Sequence, residues 1–306
     1  MNHCTYHVSD VVQFKAKMLG WVKQFNIFCF LDNCNYTIKP QRFQWLLGAG
    51  VQSELSANLH QLNQFVSTPG QWKFGHLSYE LKNNLHSISA SANNKIGFPD
   101  FYFFVPQIVV ELSTDDELTI HADDPETIYQ AIQNHNDITC EAATNSFTPK
   151  PRISEEAYID CINRLQKHIA RGDCYEINFC VEFFCDDVAI DPLTVFKKLQ
   201  EISPNPFSAF YKWNDSYLLC ASPERFLCRQ NATLISQPIK GTIERNRHNA
   251  EKDEVLKKQL SLSKKDQAEN VMVVDLVRND LSRICKDDSV KVDELFGIYS
   301  FPQVHQ

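Results

Sequence analysis

No stretch of the 306-residue chain holds the roughly 18 consecutive apolar residues of a membrane-crossing helix. The opening run, Met1 to Phe14, lacks the basic flank and apolar block of a secretory signal. No cluster of lysine and arginine interleaved with aromatics occurs, so nucleic acid is not an expected partner. The 11 cysteines include no C-x-x-C pair, and Cys174, Cys180 and Cys185 fit no zinc spacing. We therefore read them as reduced thiols, mostly buried, in a cytoplasmic protein. On that reading the glycosylation sequons at Asn35, Asn214 and Asn231 are chance matches.

What is present is an ordinary apolar share rich in phenylalanine, with 21 residues, and a formal net charge of −8 with both signs mixed. The length suffices for a substantial core. The charge does not exclude an anionic substrate, since a site needs only a local positive field.

The chain reads as an N-terminal region, residues 1–148, and a second region, residues 149–306. The first carries strand-type apolar runs at Phe28 to Leu31, Phe101 to Val105 and Ile108 to Leu112, with turn-rich stretches such as Ser89 to Asn94 between them. Mostly antiparallel strands with a few helices are expected there. Pro149 and Pro151 mark a linker. A helix follows, with Ser154 as N-cap, Glu155 and Glu156 in the first turn, and an apolar stripe of Tyr158, Cys161, Ile162, Leu165 and Ile169. Gly172 ends it. Strict alternation from Tyr175 to Phe183 predicts a strand with one apolar face and one polar face, the latter bearing Glu176, Asn178, Cys180 and Glu182. From about Lys264 to Arg283, apolar residues cover much of a helix circumference, which predicts a well-buried helix. That helix also carries Glu269, Asp275, Arg278 and Asp280.

Four segments could carry chemistry: Gly172 to Asn178, Ala221 to Leu227, Gln237 to Thr242, and Asp266 to Leu281. In the third, Gly241 permits close backbone approach, Thr242 offers a hydroxyl and an N–H to an anion, and Lys240 is a charge clamp or a nucleophile. A free lysine reaches its neutral form at pH 7 only at a cost of about 4–5 kcal/mol, so a nucleophilic role demands a special environment. Taken alone, Lys240 reads more simply as a surface-turn lysine. Glu224, at the end of an apolar strand, suits a general acid if burial raises it, or a plain ion pair with Arg225. Glu269 suits a magnesium ligand or an ion pair with an arginine.

Together, in this order, the four segments resemble the chorismate-utilising enzymes: anthranilate synthase component I, aminodeoxychorismate synthase component I, and the isochorismate and salicylate synthases. The first region resembles them more loosely, through Phe30 to Asn33 and Phe74 to Leu81. The resemblance implies an α+β fold of the anthranilate synthase component I type, with two large antiparallel β-sheets packed face to face and flanking helices. It implies chorismate as substrate and Mg²⁺ as cofactor. Glu269 would be a metal carboxylate, Gly241 and Thr242 would bind the substrate carboxylate, and Glu224 would be the acid that helps the C4 hydroxyl leave. His305 is the candidate for the family histidine, with Gln306 as the other occupant of that slot. Pro-Ile-Lys-Gly-Thr at 238–242 resembles the aminodeoxychorismate synthase branch, whose lysine attacks C2 of chorismate before ammonia adds at C4. A glutamine amidotransferase subunit would supply the ammonia. Glu176 departs from the glutamine usual in amine-using members and from the lysine of the water-using ones. The family pattern continues beyond Gln306 with a glycine-rich segment and a second metal carboxylate. The expectation is therefore of a chain lacking the C-terminal part and inactive alone. Competing readings are anthranilate synthase component I, which Lys240 disfavours, and a non-catalytic tryptophan-binding regulatory paralogue, through Leu31 to Asn33 and Asn205 to Ser208.

Overall fold

A computed structural model describes residues 1–56, 58–86, 88, 94–136 and 147–306. The expected turn at Ser89 to Asn94 lies largely outside them. Along the chain run β1 (Asn2–Tyr6), α1 (Val11–Trp21), β2 (Ile27–Asp32), β3 (Phe43–Ala49), β4 (Ser53–Leu55), α2 (Leu59–Ser67), β5 (Phe74–Leu77), α3 (Lys82–His86), β6 (Phe101–Val105), β7 (Ile108–Ser113), β8 (Leu118–Ala122) and α4 (Pro125–Gln133). Next come β9 (Lys150–Pro151), α5 (Glu155–Arg171), β10 (Phe183–Phe184), α6 (Pro192–Ile202), β11 (Phe207–Trp213), β12 (Ser216–Ser222), β13 (Arg225–Gln230), β14 (Thr233–Gln237), α7 (Ala250–Leu262) and α8 (Lys264–Ser282).

These elements form two compact units that interleave in sequence. The first comprises Met1–Thr139, Pro192–Ile239 and Tyr299–Gln306; the second comprises Cys140–Asp191 and Lys240–Ile298. The region taken from sequence as 149–306 is thus shared between both.

In the first unit a seven-stranded antiparallel sheet has the order β1-β8-β7-β3-β2-β11-β12. Its central strands are apolar on both faces because both faces are covered. Phe28 and Phe30 of β2, Leu47 of β3, Val110 of β7 and Phe210 of β11 meet Phe14 and Met18 of α1, Ile132 of α4 and Phe196 of α6. Ile27, Cys29, Leu46, Val109 and Tyr211 point the other way, onto Phe74, Tyr102 and Phe104 of a three-stranded sheet, β4-β6-β5. The large antiparallel sheet and flanking helices implied by the resemblance are therefore present, and the sheet stacked on it is small.

The second unit is built differently. α5 matches its reading residue for residue. The Ser154 side chain accepts from the Ala157 N–H, Glu155 and Glu156 occupy the first turn, and Gly172 closes the helix at φ 81°. The strand predicted from Tyr175 to Phe183 is a correction. Only Phe183–Phe184 pairs, with Lys150–Pro151. Alternation fixes which side chains share a face, but a strand also needs a neighbouring backbone to bond with, and none lies along most of this stretch among the described residues. Arg152 fastens the segment by a bidentate pair with Glu182 at 2.8 and 3.0 Å and by lying over the Phe184 ring. The burial expected of α8 is a second correction: it has no buried residue, and Leu276 is 62 % exposed. A third concerns the cysteines. Ten are described as free, and only Cys29, inside the large sheet, is buried.

Candidate active site

Lys240 lies in the second unit, directly after β14. Its ammonium donates to the Asn178 side-chain oxygen at 3.0 Å and forms an ion pair with the Glu176 carboxylate. The two partners are two residues apart within the Tyr175 to Phe183 stretch, and both reach one amine. With only 22 % of its side chain exposed, Lys240 is not the freely solvated turn lysine of the simpler reading. Sequence reasoning left Glu176 without a role and passed over Asn178. The signal was there in the alternation, but nothing local identified the amine it faces.

Gly241 adopts φ +91°, a left-handed backbone that L side chains resist, and a Cβ added there would stand 3.1 Å from the Asp266 Cβ. Its close approach is thus to the first turn of α8. Asp266 is in turn held by Ser263, the N-cap of that helix. Thr242 follows, exposed. One turn along α8 from Asp266, Glu269 pairs with the exposed Lys265 at 3.6 Å, a part-exposed i,i+4 contact rather than the buried arginine pair of the plainer reading.

Magnesium takes six oxygens in near-octahedral geometry. Glu269 offers one carboxylate. The neighbouring Asn270 Oδ1 is buried without a partner, but successive helix side chains diverge by about 100°. Among the described residues no group of three His, Cys, Asp or Glu side chains gathers. These residues alone do not form a magnesium site.

Glu224 belongs to the first unit, in the turn between β12 and β13. Its N–H donates to Ser222 Oγ at 3.2 Å. The pairing with Arg225 does not form: that guanidinium donates instead to the carbonyls of Ile38, Lys39 and Pro40 at 3.2, 3.4 and 2.9 Å. Left without its cation, the Glu224 carboxyl is pushed up by burial, with partial relief from the Ile239 backbone. Although the residue as a whole is exposed, its carboxyl lies against enough protein to feel desolvation. Beside Pro223 opens a pocket of about 180 Å³, lined also by Asn205, Phe301 and Gln306. His305 is buried at 1 % exposure, with Nδ1 2.8 Å from Ser300 Oγ. Gln306 pairs through its backbone with Tyr299 at 2.8 and 2.9 Å.

The chorismate binding enzyme family matches residues 30–306. The chain belongs to that family. It is similar to aminodeoxychorismate synthase component 1 of Klebsiella aerogenes, with 30 % identity over 233 residues, covering 76 % of this chain and 51 % of the relative. It is 42 % identical over 171 residues to the chloroplastic aminodeoxychorismate synthase of Arabidopsis thaliana, covering 55 % of this chain and 18 % of the relative. The chain spans about half the length of component 1 relatives such as those of Klebsiella aerogenes and Bacillus subtilis. Among solved structures, anthranilate synthase component I from Streptococcus pneumoniae superposes with a TM-score of 0.67 at 20 % identity, over 88 % of this chain and 69 % of that one. The menaquinone-specific isochorismate synthase from Escherichia coli gives 0.65 at 12 %, over 99 % and 68 %. These likenesses establish the fold. No helix among the described residues is long and apolar enough to cross a membrane.

Proposed function

We propose that this chorismate-binding chain takes part in aminating chorismate at C4, giving 4-amino-4-deoxychorismate for 4-aminobenzoate and folate synthesis. The observation that carries the reading is Lys240 itself: an amine within Pro-Ile-Lys-Gly-Thr, largely shielded and aimed by Glu176 and Asn178. The names of the component 1 relatives support the same choice. In this reaction Lys240 Nζ bonds to C2, the ring double bonds shift, and the C4–O bond breaks. The hydroxyl leaves as water with a proton from Glu224, whose raised carboxyl retains that proton to higher pH than an ordinary glutamate. Ammonia then bonds at C4, the double bonds shift back and Lys240 is expelled with the pyruvyl ether intact. Gly241 and Thr242 present backbone and hydroxyl donors to the substrate carboxylate, and His305 enters as an imidazole positioned by Ser300.

A glutamine amidotransferase subunit is the proposed ammonia donor. Mg²⁺ is the proposed cofactor, with Glu269 as one ligand and the remaining oxygens supplied from outside the residues described above. The free thiols suit a reducing, cytoplasmic setting.

The test is trapping. The protein is incubated with chorismate and Mg²⁺, its intact mass is read for a chorismate-derived adduct, and digestion locates the modified residue. An adduct that disappears in Lys240→Ala supports the reading. One that persists in the mutant, or release of fluorescent anthranilate on adding ammonia, overturns it.

A further inference from the structure

Resting on the reading of Lys240 as the nucleophile, we propose that Glu176 is its positioning residue: it aims the amine through a direct ion pair, with Asn178 as the second support. Three observations converge. Both side chains, two residues apart in the chain, meet a single Nζ. Lys240 and Glu176 are each about three-quarters covered, at 22 % and 23 % side-chain exposure, so their attraction is stronger than that of a fully solvated pair, while the exposed quarter leaves it open to salt. The backbone carrying Lys240 is itself fixed next door, where Gly241 turns through a left-handed conformation against Asp266 of α8.

An amine ion-paired with a carboxylate is held in one place and direction. The geometry therefore describes a lysine that is aimed and restrained, and attack requires the amine to leave Glu176. Asn178 contributes aim without charge, since its amide oxygen accepts from either form of the amine. Asp266, which lies against Gly241, is engaged by Ser263. Glu176 is thus the carboxylate in direct contact with Nζ among the described residues.

The experiment reads the amine without substrate. Acetic anhydride at limiting dose labels lysines at neutral pH, and residue-resolved mass spectrometry compares Lys240 with the 80 %-exposed Lys265. By releasing the amine from its ion pair, Glu176→Gln should speed Lys240 labelling relative to Lys265 by roughly fivefold, and the charge-keeping Glu176→Asp should stay within about twofold of wild type. Raising salt from about 0.05 to 1 M should speed wild-type labelling and leave Glu176→Gln unchanged. Equal acceleration in the Asp and Gln variants would reduce Glu176 to a packing role and overturn the proposal. So would wild-type labelling indifferent to salt, an outcome that decides the matter even if a variant fails to fold. Because chorismate is absent, failure to trap an adduct in the earlier experiment leaves this result intact.

Discussion

The two units hold their residues by different means. In the first, a seven-stranded sheet has aromatic and aliphatic side chains closed over on both faces, and most of the buried apolar residues are there. In the second, Leu260 is the buried apolar residue among those described, while Tyr175 is 87 % exposed, Ile284 69 % and Leu276 62 %. Its organisation comes from caps, the Arg152–Glu182 pair and the Lys240 contacts. Burial supplies energy roughly in proportion to area, whereas caps and part-exposed pairs typically contribute about 1 kcal/mol each or less. The first unit sets stability, and the second sets the aim of a few side chains.

The largest break in that contrast should come from Phe210→Ala. Its ring is fully buried between Phe28 and Phe196. We expect a loss of about 3–5 kcal/mol in urea unfolding, and a loss under 1 kcal/mol would refute the account of the core. Gly241→Ala comes next, at about 1–3 kcal/mol for the left-handed backbone, with further loss from the Asp266 contact. A variant as stable as wild type would show that this turn relaxes freely. Ser154→Ala removes the α5 cap and should cost about 1 kcal/mol, read as lost helix ellipticity on heating.

Smaller still is Leu276→Ala, on the open side of α8, expected within about 0.5 kcal/mol of wild type. A cost of 2 kcal/mol would mean that the residue is covered in solution. The last effect is pH-dependent. Burial raises the Glu224 carboxyl, so the native state favours its protonated form. Wild type should lose melting temperature relative to Glu224→Gln as pH rises through the native-state pKa, and the two should converge below the ordinary glutamate range. Convergence at high pH instead would reverse the sign and remove the argument for Glu224 as a proton-retaining acid.

α5 was legible to the residue because every cue that makes it, from the Ser154 oxygen to the Gly172 turn, lies within the helix or one residue beyond. The runs at 28–31, 101–105 and 108–112 were legible because strands buried on both faces read as unbroken apolar stretches. Sheet order was not, since β11 finds β2 across most of the chain. Nor was the fate of residues 175–183 or of α8. Periodicity says which side chains share a face, not whether another element arrives to cover or pair it. Within the site, Lys240, Gly241 and Glu224 drew notice through their motifs. The partner of Glu176 and the release of Glu224 from Arg225 depended on contacts that no local pattern encodes.

The pairing of β2 with β11 also has a consequence in time. Asp32 pairs with Ser208, so one edge of β2, an interior strand of the first unit's sheet, has no partner until the ribosome has made nearly all of the intervening chain. At roughly 5–20 residues per second that wait is on the order of ten seconds or more. Throughout it, a strand built of Ile27, Phe28, Cys29, Phe30 and Leu31 presents an open backbone edge of the kind that recruits other chains. Expression at low temperature with added chaperone should therefore improve soluble yield more than any surface substitution, because the exposed edge belongs to the order of synthesis and not to the finished fold.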